Sequence, residues 1–116
     1  MAVFTIARFE VRPEARADAE RAIHEFASYV RQELPASSWT TYRDPHAPSR
    51  FMALTRADDP AADERHRAAP GTQAFLAALA PLLVGAIDRT EYELVTSSDL
   101  ARRHRPEGRP GRRRPR

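Results

Sequence analysis

Hydrophobic and polar positions change their period along the chain, and each change marks an element. From Ala2 to Val11 they alternate: Phe4 and Ile6 fall on one side of an extended chain, Val3, Thr5, Ala7 and Phe9 on the other. Apolar groups on both sides predict a strand in a sheet covered on both faces. Arg12-Pro13 ends it, and Pro13 suits the first turn of a helix, where its missing N–H costs nothing. From Pro13 to Leu34 the period becomes helical. Ala19, Ala22, Ile23, Phe26, Val30 and Leu34 form one apolar stripe, with His24 among the solvated positions, and Pro35 stops it.

Alternation returns from Ser37 to Asp44, with Trp39 and Thr41 on one face and Thr40 and Tyr42 on the other. Asp44 to Ser49 carries two prolines and reads as a turn, and Arg50 to Arg56 as a third strand, so the pair makes an antiparallel hairpin. Asp59 and Pro60 start a second helical region that reaches Ala68. Pro70-Gly71 is expected to break it, Thr72 to Val84 to resume it, and Pro81 to kink or end it. A last strand is expected from Arg89 to Thr96. The order β-α-β-β-α-β predicts an α+β fold of ferredoxin-like type, a four-stranded antiparallel sheet with its helices on one face. Helices on one side leave the other apolar side open. A second copy of the same sheet is the simplest cover, giving a two-fold homodimer with a barrel-like centre.

Composition changes this picture at one end. The 116 residues suit one domain. Net charge is +3, yet residues 101–116 hold eight arginines and one glutamate, so the body is mildly acidic. The reading is therefore a folded domain over 1–98 and a disordered, arginine-rich tail over 99–116. The tail can attract phosphate backbones through charge alone. It has no interleaved aromatics, so no specific nucleic-acid recognition is expected. Without cysteine there are no disulfides or thiolate sites, which fits a cytoplasmic protein. The N-terminal residues lack a basic region followed by a long apolar run, so no signal peptide is expected. The longest apolar run, Phe75 to Ile87, is too short and too interrupted for a membrane span, and no membrane partner is expected. Four glycines leave no room for a nucleotide-cradling loop.

Four pieces in order carry a resemblance. They are V-F-T-I-A-R-F-E-V-R-P-E-A-R, then E-L-P-A-S-S-W-T-T-Y-R-D-P-H-A-P-S-R-F, then His66 with Phe75 nine residues on, then L-A-P-L-L. Over residues 2–96 the chain resembles the antibiotic biosynthesis monooxygenase (ABM) family of dimeric α+β barrels. The family's Tyr-x-Asp-Pro stands as Tyr42-Arg43-Asp44-Pro45. Its Glu-Pro-Gly is replaced by Glu33-Leu34-Pro35-Ala36. Oxygenating members use a tryptophan after the third strand and an asparagine four residues earlier; here those places hold Arg56 and about Met52. The resemblance implies a cofactor-independent monooxygenase acting on a small polycyclic phenol or quinol of secondary metabolism. The departures imply the alternative, a non-oxidative ligand-binding or cyclase/isomerase-like protein of the same fold.

The candidate site residues follow from both sources. Tyr42 stands where similar oxygenases place a phenolic hydrogen-bond partner, or is simply a strand tyrosine at the rim. His66 stands where the family usually has a histidine, and an imidazole suits proton abstraction from an acidic phenol; otherwise it is a satisfied helix residue. Asp63, one turn earlier, is placed to pair with it. These are only two ligands, so no metal site is expected. Trp39 offers a platform for a flat aromatic substrate, with Phe9, Phe51 and Met52 lining the same cavity, unless these are core. Arg43 and Arg50 flank the hairpin and can fix an anion or stand as rim charges.

Overall fold

The computed structural model describes residues 1–99 of the chain, so the tail expected over 99–116 lies, from residue 100 on, outside the described residues. Strands β1 (Val3–Glu10), β2 (Ser37–Asp44), β3 (Ala47–Ala57) and β4 (Asp88–Tyr92) form one sheet in the order β2-β3-β1-β4. Every neighbouring pair is antiparallel. Helix α1 (Arg16–Glu33) links β1 to β2, and α2 (Pro60–Ala68) and α3 (Pro70–Leu79) link β3 to β4. This is the ferredoxin-like arrangement expected from the order of elements.

Strand alternation decides which side chains meet the helices. Thr5, Phe9 and Val11 of the β1 segment are buried, as are Phe51, Ala53 and Ala57 of β3. Phe9, Val11, Phe51 and Ala53 pack against Ala19, Ile23, Phe26 and Val30 of α1 and Phe75 and Leu79 of α3. The opposite parity makes the open face. There Phe4 lies between Arg56 and Tyr92, Ile6 between Leu54 and Thr90, and Arg8 between Met52 and Asp88. Tyr42 extends the Met52 row onto β2 and is 52% exposed.

Element ends differ from the sequence reading for local reasons. Pro13–Ala15 is a 3-10 turn, and the regular helix begins at Arg16. Strand β3 starts at Ala47, earlier than expected, because Asp44 Oδ1 accepts the His46 N–H at 2.8 Å and tightens the turn. The pairing with β2 is irregular at Arg43/Asp44, which leaves Pro48 where no ladder N–H is needed. The second helical break falls at Ala69, not at Pro70-Gly71. Ala69 is extended (φ −61°, ψ 141°), as a residue before proline prefers, and Pro70 opens α3. Helix α3 gives way at Leu79 to a 3-10 turn containing Pro81. Strand β4 ends at Tyr92, not Thr96. Its sole partner β1 begins at Val3, and Phe4↔Tyr92 is the last pair, so Leu94 and Val95 stay exposed. Asp59 caps α2 as expected, accepting the Ala62 N–H at 2.8 Å.

Two glycines have distinct reasons. Gly85 takes φ +78° between Val84, whose N–H donates to the Glu10 carbonyl at 2.7 Å, and the start of β4. Gly71 lies in the first turn of α3, where a Cβ would strike the ring of Tyr29 on α1. The missing side chain lets the two helices close on each other. Gly71→Ala raises helix propensity by about 1 kcal/mol, yet we expect a net loss of about 1–3 kcal/mol from the overpacked contact. Urea denaturation checks this, and a Tyr29→Ala background should remove the penalty.

Candidate functional site

Between the sheet and α2/α3 lies a cavity of about 360 Å3. Its walls are aromatic because three elements each send one ring to the same place. Phe26 of α1 meets Phe75 of α3 face to face at 4.6 Å, and Trp39 of β2 stands edge-on to both, at 4.8 and 5.5 Å. Such pairs each add about 0.5–1.5 kcal/mol beyond the area they bury. One end of the cavity is polar, with His66 and Asp63 from α2, Thr72 from α3 and Arg89 from β4.

His66 reaches the cavity because Asp59 starts α2 in a register that turns Ala62, Asp63 and His66 inward. Its ring lies edge-on to Phe26 at 5.7 Å, and the side chain is 5% exposed. Burial lowers its pKa below the usual 6.5. The Asp63 carboxylate opposes that shift, and the Arg89 guanidinium adds to it. His66 is therefore a neutral imidazole at neutral pH, able to accept a proton. Its Nδ1 is buried without a hydrogen-bond partner, and so is the Oγ1 of Thr72. Each such orphan costs about 1–3 kcal/mol when nothing satisfies it. The carboxylate of Asp63 is paired with Arg67 at 3.2 Å, so its ion pair forms with the residue next to His66 instead of with His66.

The expected site residues divide between two places. Trp39, Phe9 and His66 line the aromatic-walled cavity. Tyr42, Met52 and Arg43, with Phe51 and again Phe9, line a larger and more open depression of about 510 Å3. Strand alternation explains the division: Tyr42 and Met52 have open-face parity, so they do not converge with His66, and Met52 does not share the Trp39 cavity. Phe51 is buried and stacked on Phe9 at 5.4 Å, serving as core. Arg43 donates to Glu20 of α1 at 2.7 Å, and Arg50 lies 3.5 Å from Glu10, so neither is an uncommitted anion partner.

Sequence reading passed over Phe26 and Phe75 as cavity walls, and Thr72 and Arg89 as polar groups. Arg89 had a visible signal. Strand parity puts it beside Ala7, on the helix side. Thr72 has none, because the pattern resumes a helix at that residue and gives no sign that its hydroxyl turns inward. Among the described residues no group of three His, Asp, Glu or Cys side chains can hold a metal ion, and no helix is long and apolar enough to cross a membrane.

No family model and no curated protein matches the sequence. Solved structures do match. Rv0793 from Mycobacterium tuberculosis superposes with a TM-score of 0.77 at 21% identity, over 84% of this chain and 99% of that one. A Caulobacter crescentus protein assigned as an antibiotic biosynthesis monooxygenase gives 0.77 at 20% identity, over 82% and 91%. A Deinococcus radiodurans protein with the same assignment gives 0.73 at 23% identity, over 82% and 94%. The chain has the ABM fold. Identities this low carry the architecture of the ABM proteins, and chemistry has to be argued from this chain's own residues.

The depressed pKa of His66 has a consequence for stability. Above the usual 6.5 both folded and unfolded chains hold a neutral imidazole, and stability is fully present. As pH falls below 6.5 the unfolded chain takes up the proton first, so stability drops until the folded-state pKa is passed. Denaturation midpoints between about pH 7 and pH 4 should fall less steeply for His66→Gln than for the parent chain.

Proposed function

We propose that the protein is an ABM-type oxygenase that binds a flat phenolic or quinol substrate in the aromatic-walled cavity, with His66 as general base. The observation that carries this reading is a neutral, buried imidazole with an orphaned nitrogen at the end of an aromatic-walled cavity. The volume, about 360 Å3, lies within the range of small-molecule sites, toward its lower end. Trp39, Phe26 and Phe75 hold the rings of the substrate. His66 removes the acidic proton and leaves an electron-rich anion. The anion reduces O2, a C–O bond forms, and the peroxide oxygen takes the proton back from the imidazolium. Loss of water then leaves a new carbonyl, so one oxygen atom enters the product and the other departs as water. No cofactor takes part in this scheme.

The same reading makes the protein a homodimer. Phe4, Ile6, Met52 and Leu54 are only half-buried on the open face, and a second sheet laid across them would remove that apolar surface from water. Tyr42 and Met52 then belong to the subunit contact rather than to the chemistry. The double substitution Ile6→Asp, Leu54→Asp should give a monomer by sedimentation while the helix-side core stays intact.

A second, non-oxidative reading is favoured by one observation. Met52 and Arg56, which stand where oxygenating relatives place asparagine and tryptophan, have open-face parity and contribute nothing to the cavity. In that reading the cavity binds or isomerises its ligand without oxygen. Oxygen uptake with an anthrone-type substrate separates the two. The oxygenase reading expects a rate above spontaneous oxidation that falls about a hundredfold to ten-thousandfold in His66→Asn. A rate equal to the spontaneous one would leave the non-oxidative reading standing.

A further inference from the structure

The polar end of the cavity is built from groups that share one electrostatic preference. Helix α3 opens with Pro70, Gly71 and Thr72, has no acidic residue in its first turn and carries no side-chain cap. Gln73 is the first residue of this helix whose N–H reaches back to a carbonyl, that of Ala69 at 3.0 Å. The N–H groups of Gly71 and Thr72 are thus at the positive end of the helix dipole without helical acceptors. Thr72 is 7% exposed, lines the cavity and has an unpartnered Oγ1. Arg89 lines the same cavity from β4 and forms none of the salt bridges found among the described residues. The one acid in the lining, Asp63, is already neutralised by Arg67.

An apolar ligand would leave the buried Thr72 hydroxyl unsatisfied. A neutral polar ligand would satisfy Thr72 but draw nothing from Arg89, which lines the cavity from its exposed edge. We propose that this end of the cavity is an anion subsite, in which Thr72, through its Oγ1 and its first-turn N–H, and the Arg89 guanidinium hold one anionic oxygen group, a carboxylate or a phenolate, at the edge of a flat aromatic ligand. The inference rests on the ligand cavity of the preceding reading but not on its oxygen chemistry. It narrows the ligand class to aromatic acids and ionised phenols. It also gives Thr72 and Arg89 the role of selecting the charged form that His66 would generate or guard.

Trp39 is the only tryptophan in the chain and stands in the cavity wall, so its fluorescence reports occupancy. The full chain is titrated without oxygen at about pH 8, where an unperturbed histidine is already neutral. The probes are 2-naphthoate, 2-naphthamide, 4-nitro-1-naphtholate and its methyl ether. The anion of at least one pair is expected to bind about tenfold or more tighter than its neutral partner, the size of a charge-assisted hydrogen bond. The pair that shows the preference distinguishes carboxylate from phenolate. Thr72→Val and Arg89→Gln should each reduce that preference severalfold while leaving the neutral probe's affinity in place, and Thr72→Ser should keep it. Equal binding of anion and neutral partner in both pairs would overturn the subsite. So would loss of both forms together in the variants, or no quenching by any probe. A charge preference without oxygen uptake would uphold the subsite and remove only the oxygenase reading.

Discussion

The ring of Phe26 is the contact on which the rest of the molecule depends. It sits midway along α1 and touches Trp39 of β2, His66 of α2 and Phe75 of α3 within 4.6 to 5.7 Å between ring centres. One side chain therefore fixes the spacing between the sheet and all three helices. Burying a phenylalanine is worth about 1.5–3 kcal/mol, and each ring pair adds a directional preference that a leucine would lack. The cavity exists because these rings meet edge-on as well as face-on. Thr72 and His66 of the same lining keep buried polar atoms without hydrogen-bond partners.

The period of a strand sets the second constraint. Side chains alternate, so each residue of β2 and β3 is committed either to the helices or to the open face. Trp39 goes one way and Tyr42 the other, although only two residues separate them. The hairpin that carries the chain's one tryptophan and the Tyr-x-Asp-Pro sequence thus serves two surfaces. One is the aromatic-walled cavity, the other an apolar face with Phe4, Ile6, Met52 and Leu54. The Trp39 cavity takes its strand residues from the helix side alone, whereas the open depression mixes Phe9 and Phe51 with Tyr42 and Met52.

How far the sequence could be read follows from the same physics. The order of elements, the apolar stripe of α1 and the Asp59 cap were legible because each is a local pattern with a local cause. Ends that depend on partners were not. Strand β4 stops at Tyr92 because β1 runs out, a fact invisible to the apolar content of Leu94 and Val95. His66 and Trp39 were legible as candidates from residue type and position. Their convergence, and the separation of Tyr42 from them, needed the sheet's register. Thr72 was hidden because a helix resuming at that residue gives no sign that its hydroxyl turns inward, whereas Pro70 starts the helix and Gly71 admits the ring of Tyr29.

Packing and chemistry are coupled through water. The proton affinity of His66 is low chiefly because its ring is buried against Phe26, with Arg89 reinforcing the effect and Asp63 opposing it. Any change that lets water reach the ring returns the imidazole toward its ordinary titration and weakens the field of Arg89 at the same time. A ligand acts in the opposite sense, since it displaces water and deepens the burial. An anion seated near Arg89 also cancels the charge that opposes protonation. Occupancy by an ionised ligand would therefore favour the imidazolium, and occupancy by a neutral one the free base. In the proposed scheme a neutral, acidic ligand meets a base ready to accept its proton, and the resulting anion meets the groups that stabilise it.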